Sequence, residues 1–365
     1  KIMKFGIITH YDVHNHGAIL QLNALKEFLA TRNIDAQALQ FDKNYDFMGV
    51  ELKAKYNISI KSIGIYTRYL LEQGVAKTIF NYKKRKALNE FKTKHHLIGP
   101  FYSNTSDIDA TVIGSDEVFA LHTGPTPCLF GHACPGKIVF SYAGSFGPTN
   151  YADVEKYHCI PFVKSGLENM AGISVRDENS FNIVSHLLGK DPVRVCDPVL
   201  LYGYERERAR FKKIERSPYL LIYAYDNRMN DKKEVDAIKA YARANHLELV
   251  SPGFYHSWCD HNVNVDPIEL LNYFACATGI ITDTFHGSIM SILTHGTFAV
   301  IPRDNSNKLL NLLAEYGLED RVIPSLDDIS MILSSPIDYD LVEEELQKRR
   351  TDSMSYLDSM IQLCK

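Results

Sequence analysis

Short apolar runs, each closed by a polar turn and followed by an amphipathic stretch, recur along the chain. Met3–Thr9 alternates little and reads as a buried strand. A polar loop, His10–His16, leads into a helix from Gly17–Ala18 to about Ala30, with Ile19, Leu22, Leu25 and Phe28 or Leu29 on one stripe. Asp35–Phe41 is the next strand, so the chain opens as a βαβ unit and predicts a parallel sheet. Residues 43–108 are less regular, with helical stretches expected over Lys53–Gln73 and Val75–Lys94. Strands return at Ala110–Ile113, Lys137–Ser141, Gly172–Val175 and Arg194–Cys196, with helices over Asp153–Asn169 and up to Leu188.

The charged stretch Tyr202–Ser217 reads as a link, after which the same alternation restarts. Strands are expected at Tyr219–Tyr225, Leu247–Val250, Ile280–Thr282 and Phe298–Ile301. Helices are expected at Lys232–Asn245, Asp266–Ala277, Ser288–Thr294 and Lys308–Tyr316. Asp266-Pro267-Ile268-Glu269 carries an N-cap acid, a first-turn proline and a capping-box glutamate. Tyr339–Leu363 is one long amphipathic helix. The boundaries that follow are 1–201 for a first α/β domain with its helical insertion at about 43–108, 217–335 for a second, and 336–365 for a terminal helix packing back on the first.

Composition narrows the partners. The 365 residues suffice for two domains with full cores, and a net charge of −4 argues against a nucleic-acid binder. The seven cysteines are odd in number and form no C-x-x-C pair, so a reducing, cytoplasmic setting is expected and a disulfide framework or zinc ribbon is not. No signal-like leader and no run of about 18 apolar residues is present, and no transmembrane segment is expected. His10, His14 and His16 have no fixed acidic or cysteine partner near in sequence, so no metal is expected. The basic run Lys83–Lys86 reads as a solvated helix face, and His95-His96 as surface. Glycine-rich phosphate loops and a G-x-S-x-G elbow are absent, which disfavours an ATPase, a nicotinamide dehydrogenase and a hydrolase of that type.

Ligands of parallel α/β sheets bind beyond the carboxyl ends of the strands, so the polar strand ends are the candidates. In the first half these are Asn15 and Gly17, Ser115 and Asp116, Ser141 to Ser145, and Arg176. In the second they are Asp283, Thr284, His286, Gly287 and Ser288, then Arg303 to Lys308. A histidine at a strand-to-helix turn suits proton transfer near neutral pH, and the helix start beside it offers N–H groups to an anion. The bland alternatives are a helix cap at Asp283, an Asx turn at Ser115-Asp116, and an ion pair of Arg176 with Asp177 or Glu178. Phe254–Trp258 offers rings for a sugar, with Trp258 equally placed for the core.

Taken in order, these segments resemble the polysaccharide pyruvyl transferase family. Asn15–Gln21 is similar to its opening loop and helix, Ile113–Phe119 to its G-S-D-Q-V-W segment, and Ser141–Gly147 to S-Y-A-A-S-F-G. Ser174–Asp177 matches S-V-R-[DE], Asp197–Leu201 matches D-P-T-L-L, Thr282–Ser291 matches T-D-S-F-H-G-T-x-F-S, and Leu309–Arg321 matches L-L-x-x-L-G-L-E-D-R. The resemblance implies two Rossmann-like domains facing across a cleft, glycosyltransferase-B-like. It implies transfer of a pyruvyl group from phosphoenolpyruvate to two hydroxyls of a sugar, with phosphoenolpyruvate as donor substrate and no other cofactor. The implied partners are that donor and a sugar or lipid-linked oligosaccharide acceptor, with peripheral membrane association through the latter.

His286 falls on the family's donor histidine and is expected as donor clamp or acid, while Thr284 stands where several members have arginine. Arg176, with Arg303 or Lys308 from the second half, is expected to supply charge, the N–H groups of Gly287–Ser288 to hold phosphate, and Asp116 or Asp283 to take the hydroxyl proton. Asn15, Gly17, Ser115, Ser145 and Thr284 complete the expected substrate contacts. Two alternatives stay open: a glycosyltransferase using a nucleotide-sugar, and a catalytically silent sugar-binding relative.

Overall fold

A computed structural model describes residues 2–43, 62–304 and 306–365, with the backbone alone for 62–73. The expected helix over Lys53–Gln73 therefore lies partly outside the described residues. The first half runs β1 (Met3–Ile8), α1 (His16–Ala30), β2 (Ile34–Gln40), α2 (Ser62–Lys94), β3 (Ile98–Phe101), β4 (Ala110–Ile113) and β5 (Ile138–Ser141). It continues with α3 (Tyr151–Lys156), α4 (Ile160–Glu168), β6 (Ser174–Val175), α5 (Glu178–Leu188), β7 (Val193–Arg194), α6 (Pro198–Tyr202) and α7 (Glu205–Arg208). The second half runs β8 (Tyr219–Tyr223), α8 (Lys232–Ala244), β9 (Glu248–Pro252), β10 (His261–Val263), α9 (Pro267–Cys276), β11 (Gly279–Thr282) and α10 (Phe285–Leu293). After it come β12 (Phe298–Val300), α11 (Asn307–Glu315), α12 (Ile329–Ser334) and α13 (Tyr339–Leu363).

Each half builds a five-stranded parallel sheet, in the orders β3-β2-β1-β4-β5 and β10-β9-β8-β11-β12. Backbone bridges from Phe140 to Gly172 and from Gly144 to Val175 carry the first sheet on into the β6–β7 pair. The central strands are covered on both faces, which is why they are apolar runs rather than alternating ones. In each sheet the strand order reverses beside the first strand, between β1 and β4 and between β8 and β11. Those two switch points are where such sheets open a crevice at their carboxyl ends.

Local chemistry fixes the elements around that crevice. Asn15 caps α1, its side-chain oxygen accepting from Gly17 N at 2.8 Å and Ala18 N at 3.3 Å. Helix α1 is buried nearly all round, so its polar Gln21 and Asn23 lie inside and take buried partners. The capping box at Asp266 and Glu269 starts α9 as its sequence pattern requires. The single helix expected over Asp153–Asn169 is instead α3 and α4, because His158 takes φ 54° and Pro161 starts a new first turn.

The expected bare link at Tyr202–Ser217 is also anchored. Tyr204 is fully buried, its hydroxyl donating to Leu20 O at 2.7 Å and Asn23 Oδ1 at 2.9 Å. Helix α13 spans both halves. Near its start the Tyr339 hydroxyl reaches Gly296 O at 2.6 Å, and further on Tyr356 donates to Ser141 O at 2.8 Å. Ser353 Oγ accepts from Cys196 N at 2.9 Å on the way. Among the described residues no helix is long and apolar enough to cross a membrane.

Candidate active site

The two switch points face each other, and the residues at their strand ends meet there. From the first half, β4 runs into Gly114-Ser115-Asp116. Gly114 sits at φ +118°, where a Cβ would lie 2.2 Å from Tyr142 O, so this turn admits only glycine. From the second half, β11 runs into Asp283-Thr284 and α10 starts with Phe285-His286. The ring of His286 lies against α1 at a position where a side chain would not fit: a Cβ on Gly17 would be 2.5 Å from His286 Cγ.

Arg176 is the hub. Its side chain is 2% exposed and donates to Asp197 Oδ2 at 3.0 Å, Asp116 Oδ1 at 3.2 Å and Gln21 Oε1 at 3.2 Å. Gln21 Oε1 also accepts from the Ser115 hydroxyl at 2.6 Å. Arg176 pairs with neither Asp177 nor Glu178. Asp177 instead caps α5 and accepts from the Ser145 hydroxyl at 2.6 Å. Phe285, from the opposite half, lies under the guanidinium at 4.6 Å. His286 Nε2 stands 3.6 Å from the same Asp197 oxygen that Arg176 holds. That distance suits a charge pair and exceeds a hydrogen bond. Asp197, in the D-P segment, is thus the meeting point of histidine and arginine, and strand-end reasoning passed it over. Its Oδ1 is occupied as the cap of α6, accepting from Val199 N at 2.9 Å.

The charges set their own protonation. Burial would raise the carboxyl of Asp116, but the Arg176 guanidinium, with His10, His286 and Lys308 beyond it, holds it far below the carboxylate range. Asp197 is treated likewise: burial opposes, while His286 and Arg176 prevail and keep it ionised. Lys308 reaches across from α11 and pairs with Glu117, which burial would raise and the ammonium lowers. The Lys308 ammonium also lies 5.7 Å from the Phe285 ring centroid. His10 Nε2 lies 3.1 Å from Glu117 O.

Other expected contacts are placed elsewhere. The N–H groups of Gly287 and Ser288 are not free for phosphate: Thr284 Oγ1 takes Gly287 N at 2.9 Å and Thr284 O takes Ser288 N at 3.2 Å. Thr284 is the helix cap, and Ser288 is fully buried, its hydroxyl returned to Thr284 O at 3.3 Å. Asp283 and Arg303 answer each other. Arg303 Nε donates to Asp283 Oδ2 at 2.8 Å, and its other end grips Glu234 at 2.5 and 3.1 Å. Burial raises the Asp283 carboxyl, against the pull of Arg303. Ser145 is wholly buried and braces the loop after β5, its Oγ also accepting from Gly147 N at 2.9 Å.

Asn15, besides capping α1, points Nδ2 to the Tyr225 hydroxyl at 3.5 Å across the crevice. Nearby, His16 is buried, its Nε2 2.8 Å from Val265 O of the second half. Trp258 is half-buried, and its indole N–H goes to Asn230 Oδ1 at 3.2 Å. Lys84, expected on a solvated face, is buried. Among the described residues no group of three or more potential ligands is placed to hold a metal ion.

Solved structures share the fold. A UDP-GlcNAc 2-epimerase from Neisseria meningitidis bound to UDP-GlcNAc is similar over 99% of this chain and 100% of that one, at 12% identity and a TM-score of 0.52. The glycotransferase of kitacinnamycin is similar over the whole of both chains, at 11% identity and a TM-score of 0.51. These likenesses establish the two-domain glycosyltransferase-B-like architecture. No curated protein sequence matches the chain. The family model for polysaccharide pyruvyl transferase matches residues 15–305.

Proposed function

The chain belongs to the polysaccharide pyruvyl transferase family, and from that premise we propose that it moves a pyruvyl group from phosphoenolpyruvate onto two hydroxyls of a sugar. We place this step in the cytoplasm, in the assembly of cell-surface polysaccharide, with a free or lipid-linked sugar as acceptor. The observation that carries the proposal is the convergence of His286 and Arg176, from opposite halves, on Asp197. An enol phosphate needs an acid at its methylene carbon and fixed positive charge beside its carboxylate and phosphate. Imidazole suits the first task, and the part-exposed ammonium of Lys308 suits the second, with Arg176 fixing the carboxylates around the crevice.

The chemistry balances without another reactant. His286 gives a proton to the methylene carbon, which becomes the methyl, and positive character develops on the neighbouring carbon. A sugar hydroxyl attacks there and its proton restores His286. Phosphate leaves as the second hydroxyl closes the ketal, and that second proton departs with it. Asp116 is reachable, with its side chain 18% exposed, whereas that of Asp283 is 0% exposed and tied to Arg303. Because Arg176 keeps Asp116 ionised, its fitting part is to accept a hydrogen bond from the attacking hydroxyl and hold it in line. Arg176 is locked on two carboxylates. Lys308 can change partners, since its pair with Glu117 is part-exposed at 27% and 22%.

The test is phosphate release from phosphoenolpyruvate with a panel of sugar acceptors, nucleotide-sugars serving as the contrasting donors. His286→Ala should lower turnover by about 10²–10⁴ with thermal unfolding unchanged. Phosphate release near the wild-type rate in that variant refutes the assignment, and turnover with nucleotide-sugars alone replaces it.

A further inference from the structure

Helix α2 leaves the first sheet and crosses to the second half, carrying a lysine that the transfer chemistry does not use. Lys77 pairs with Asp226 at 3.0 Å and Phe80 packs on Tyr255, ring centroids 5.7 Å apart. One turn on, Lys84 is only 8% exposed, its ammonium 3.9 Å above the Phe254 ring centroid. A buried ammonium is costly unless something compensates it, and the ring does so in part. Among the described residues no carboxylate lies within ion-pair distance of it, and Asp226, paired with Lys77 at 3.0 Å, favours its charge only from further off. Burial pushes its pKa down to about 8, so it stays largely charged at neutral pH.

The surroundings are positive. The pKa of His14, in the loop after β1, is lowered first by burial and then by the positive charges of Arg85, Lys92 and Lys84, with Asp12 opposing them. The carboxylate of that loop, Asp12, is taken by Lys43 at 3.0 Å. The aromatic surface beneath Lys84 is continuous with the active site. Phe254 meets Tyr225 at 5.3 Å, and the Tyr225 hydroxyl meets Asn15, two residues before the Gly17 floor beneath His286.

We propose that Lys84 is the anchor of a phosphate-binding subsite at the outer end of the cleft, which holds the phosphate ester carrying the acceptor sugar. The sugar then extends along Tyr225 toward His286. This rests on the assignment of His286 as the transfer centre. The compact ammonium of lysine is a point-charge binder of phosphate, and Tyr225, 36% exposed, offers a ring face and a hydroxyl to a sugar. A nucleoside diphosphate and a polyprenyl diphosphate present the same group.

The probe is inorganic pyrophosphate, titrated calorimetrically into the full-length protein. Lys84→Gln should weaken binding at least tenfold, Lys84→Arg should keep most of it, and His286→Ala should leave it unchanged. Lys84→Gln should also melt no lower than wild type, because it removes a buried charge that no carboxylate pairs with directly. Unaltered pyrophosphate binding in Lys84→Gln overturns the proposal. So does its loss in His286→Ala, which would put pyrophosphate in the transfer site, or a lower melting point in Lys84→Gln, which would make the lysine structural. Competition by UDP-GlcNAc, or by vesicles bearing a polyprenyl diphosphate sugar, then identifies the source of the phosphate. Full turnover of His286→Ala with loss of pyrophosphate by Lys84→Gln would leave the subsite standing and remove only the transfer assignment.

Discussion

The two halves end their central strands in the same place and spend their charges differently. In the first, Arg176, Asp116 and Asp197 close on one another at the crevice, and the cluster extends across it to His286, Phe285 and Lys308. In the second, Arg303, Asp283 and Glu234 form a network entirely of their own half. A polar residue beyond a parallel strand is therefore not a site residue by position alone. What separates the two clusters is whether the far half touches them.

That difference is sharpest in paired arginine deletions. Arg176→Ala leaves Asp116 and Asp197 buried without their cation, so it should cost about 3–5 kcal/mol of stability and all measurable transfer. Arg303→Ala should cost less, about 1–3 kcal/mol, because Arg303 is part-exposed and Asp283 can take up a proton. It should leave turnover near wild type, and Asp283→Asn in the same chain should recover part of the stability. Denaturant unfolding and phosphate release measure both. A dead but stable Arg303→Ala would move the second cluster into the site and erase the contrast.

How much of this the sequence disclosed follows the same line. The parallel sheets and the polar strand ends that carry Arg176 and lead into His286 were legible, because apolar runs ending in polar turns declare a parallel sheet and its ligand edge. The partners of each charge were not. Arg176 was weighed against its sequence neighbours Asp177 and Glu178, whereas its anions lie 60 and 21 residues away. Asp197 lies in the D-P segment, where nothing in the sequence shows that one oxygen caps α6 while the other turns to Arg176 and His286. Lys84 was indistinguishable from Lys83 and Lys86, since the helical phase that buries it depends on the path of α2 over Phe254. The N–H groups of Gly287 and Ser288 looked free because a helix start leaves its first N–H groups unpaired. A threonine there can cap the helix itself.

The seam between the halves has its own signature in pH. His16, fully buried with Nε2 at Val265 O, has its pKa lowered to about 3 by burial, from an ordinary 6.5. The unfolded chain binds a proton there as pH falls through 6.5, and the folded chain refuses it until about 3. Stability is therefore lost on acidification across that window, by up to about 1.4 kcal/mol per pH unit from this group. Buried His256 contributes in the same direction. Asp116 adds nothing above its ordinary 3.8, because its lowered carboxyl is ionised in both states there. Thermal unfolding between pH 7 and 4.5 should show the slope, and His16→Gln should flatten it. An unchanged slope in that variant would assign the acid sensitivity to other groups.

The smallest effect tests the cation that joins the halves while remaining exchangeable. The pair of Lys308 with Glu117 is part-solvated, so Lys308→Met should change stability by no more than about 1 kcal/mol. If Lys308 leaves Glu117 for the donor, the same variant should raise KM for phosphoenolpyruvate roughly tenfold, the worth of about 1.4 kcal/mol, with kcat little altered. Glu117→Gln, which releases the ammonium without removing it, should lower that KM instead. Opposite shifts in the two variants would identify Lys308 as a mobile donor contact. A KM that rises in both would show that the pair itself braces the crevice, which would put Lys308 with Arg303 among the structural cations.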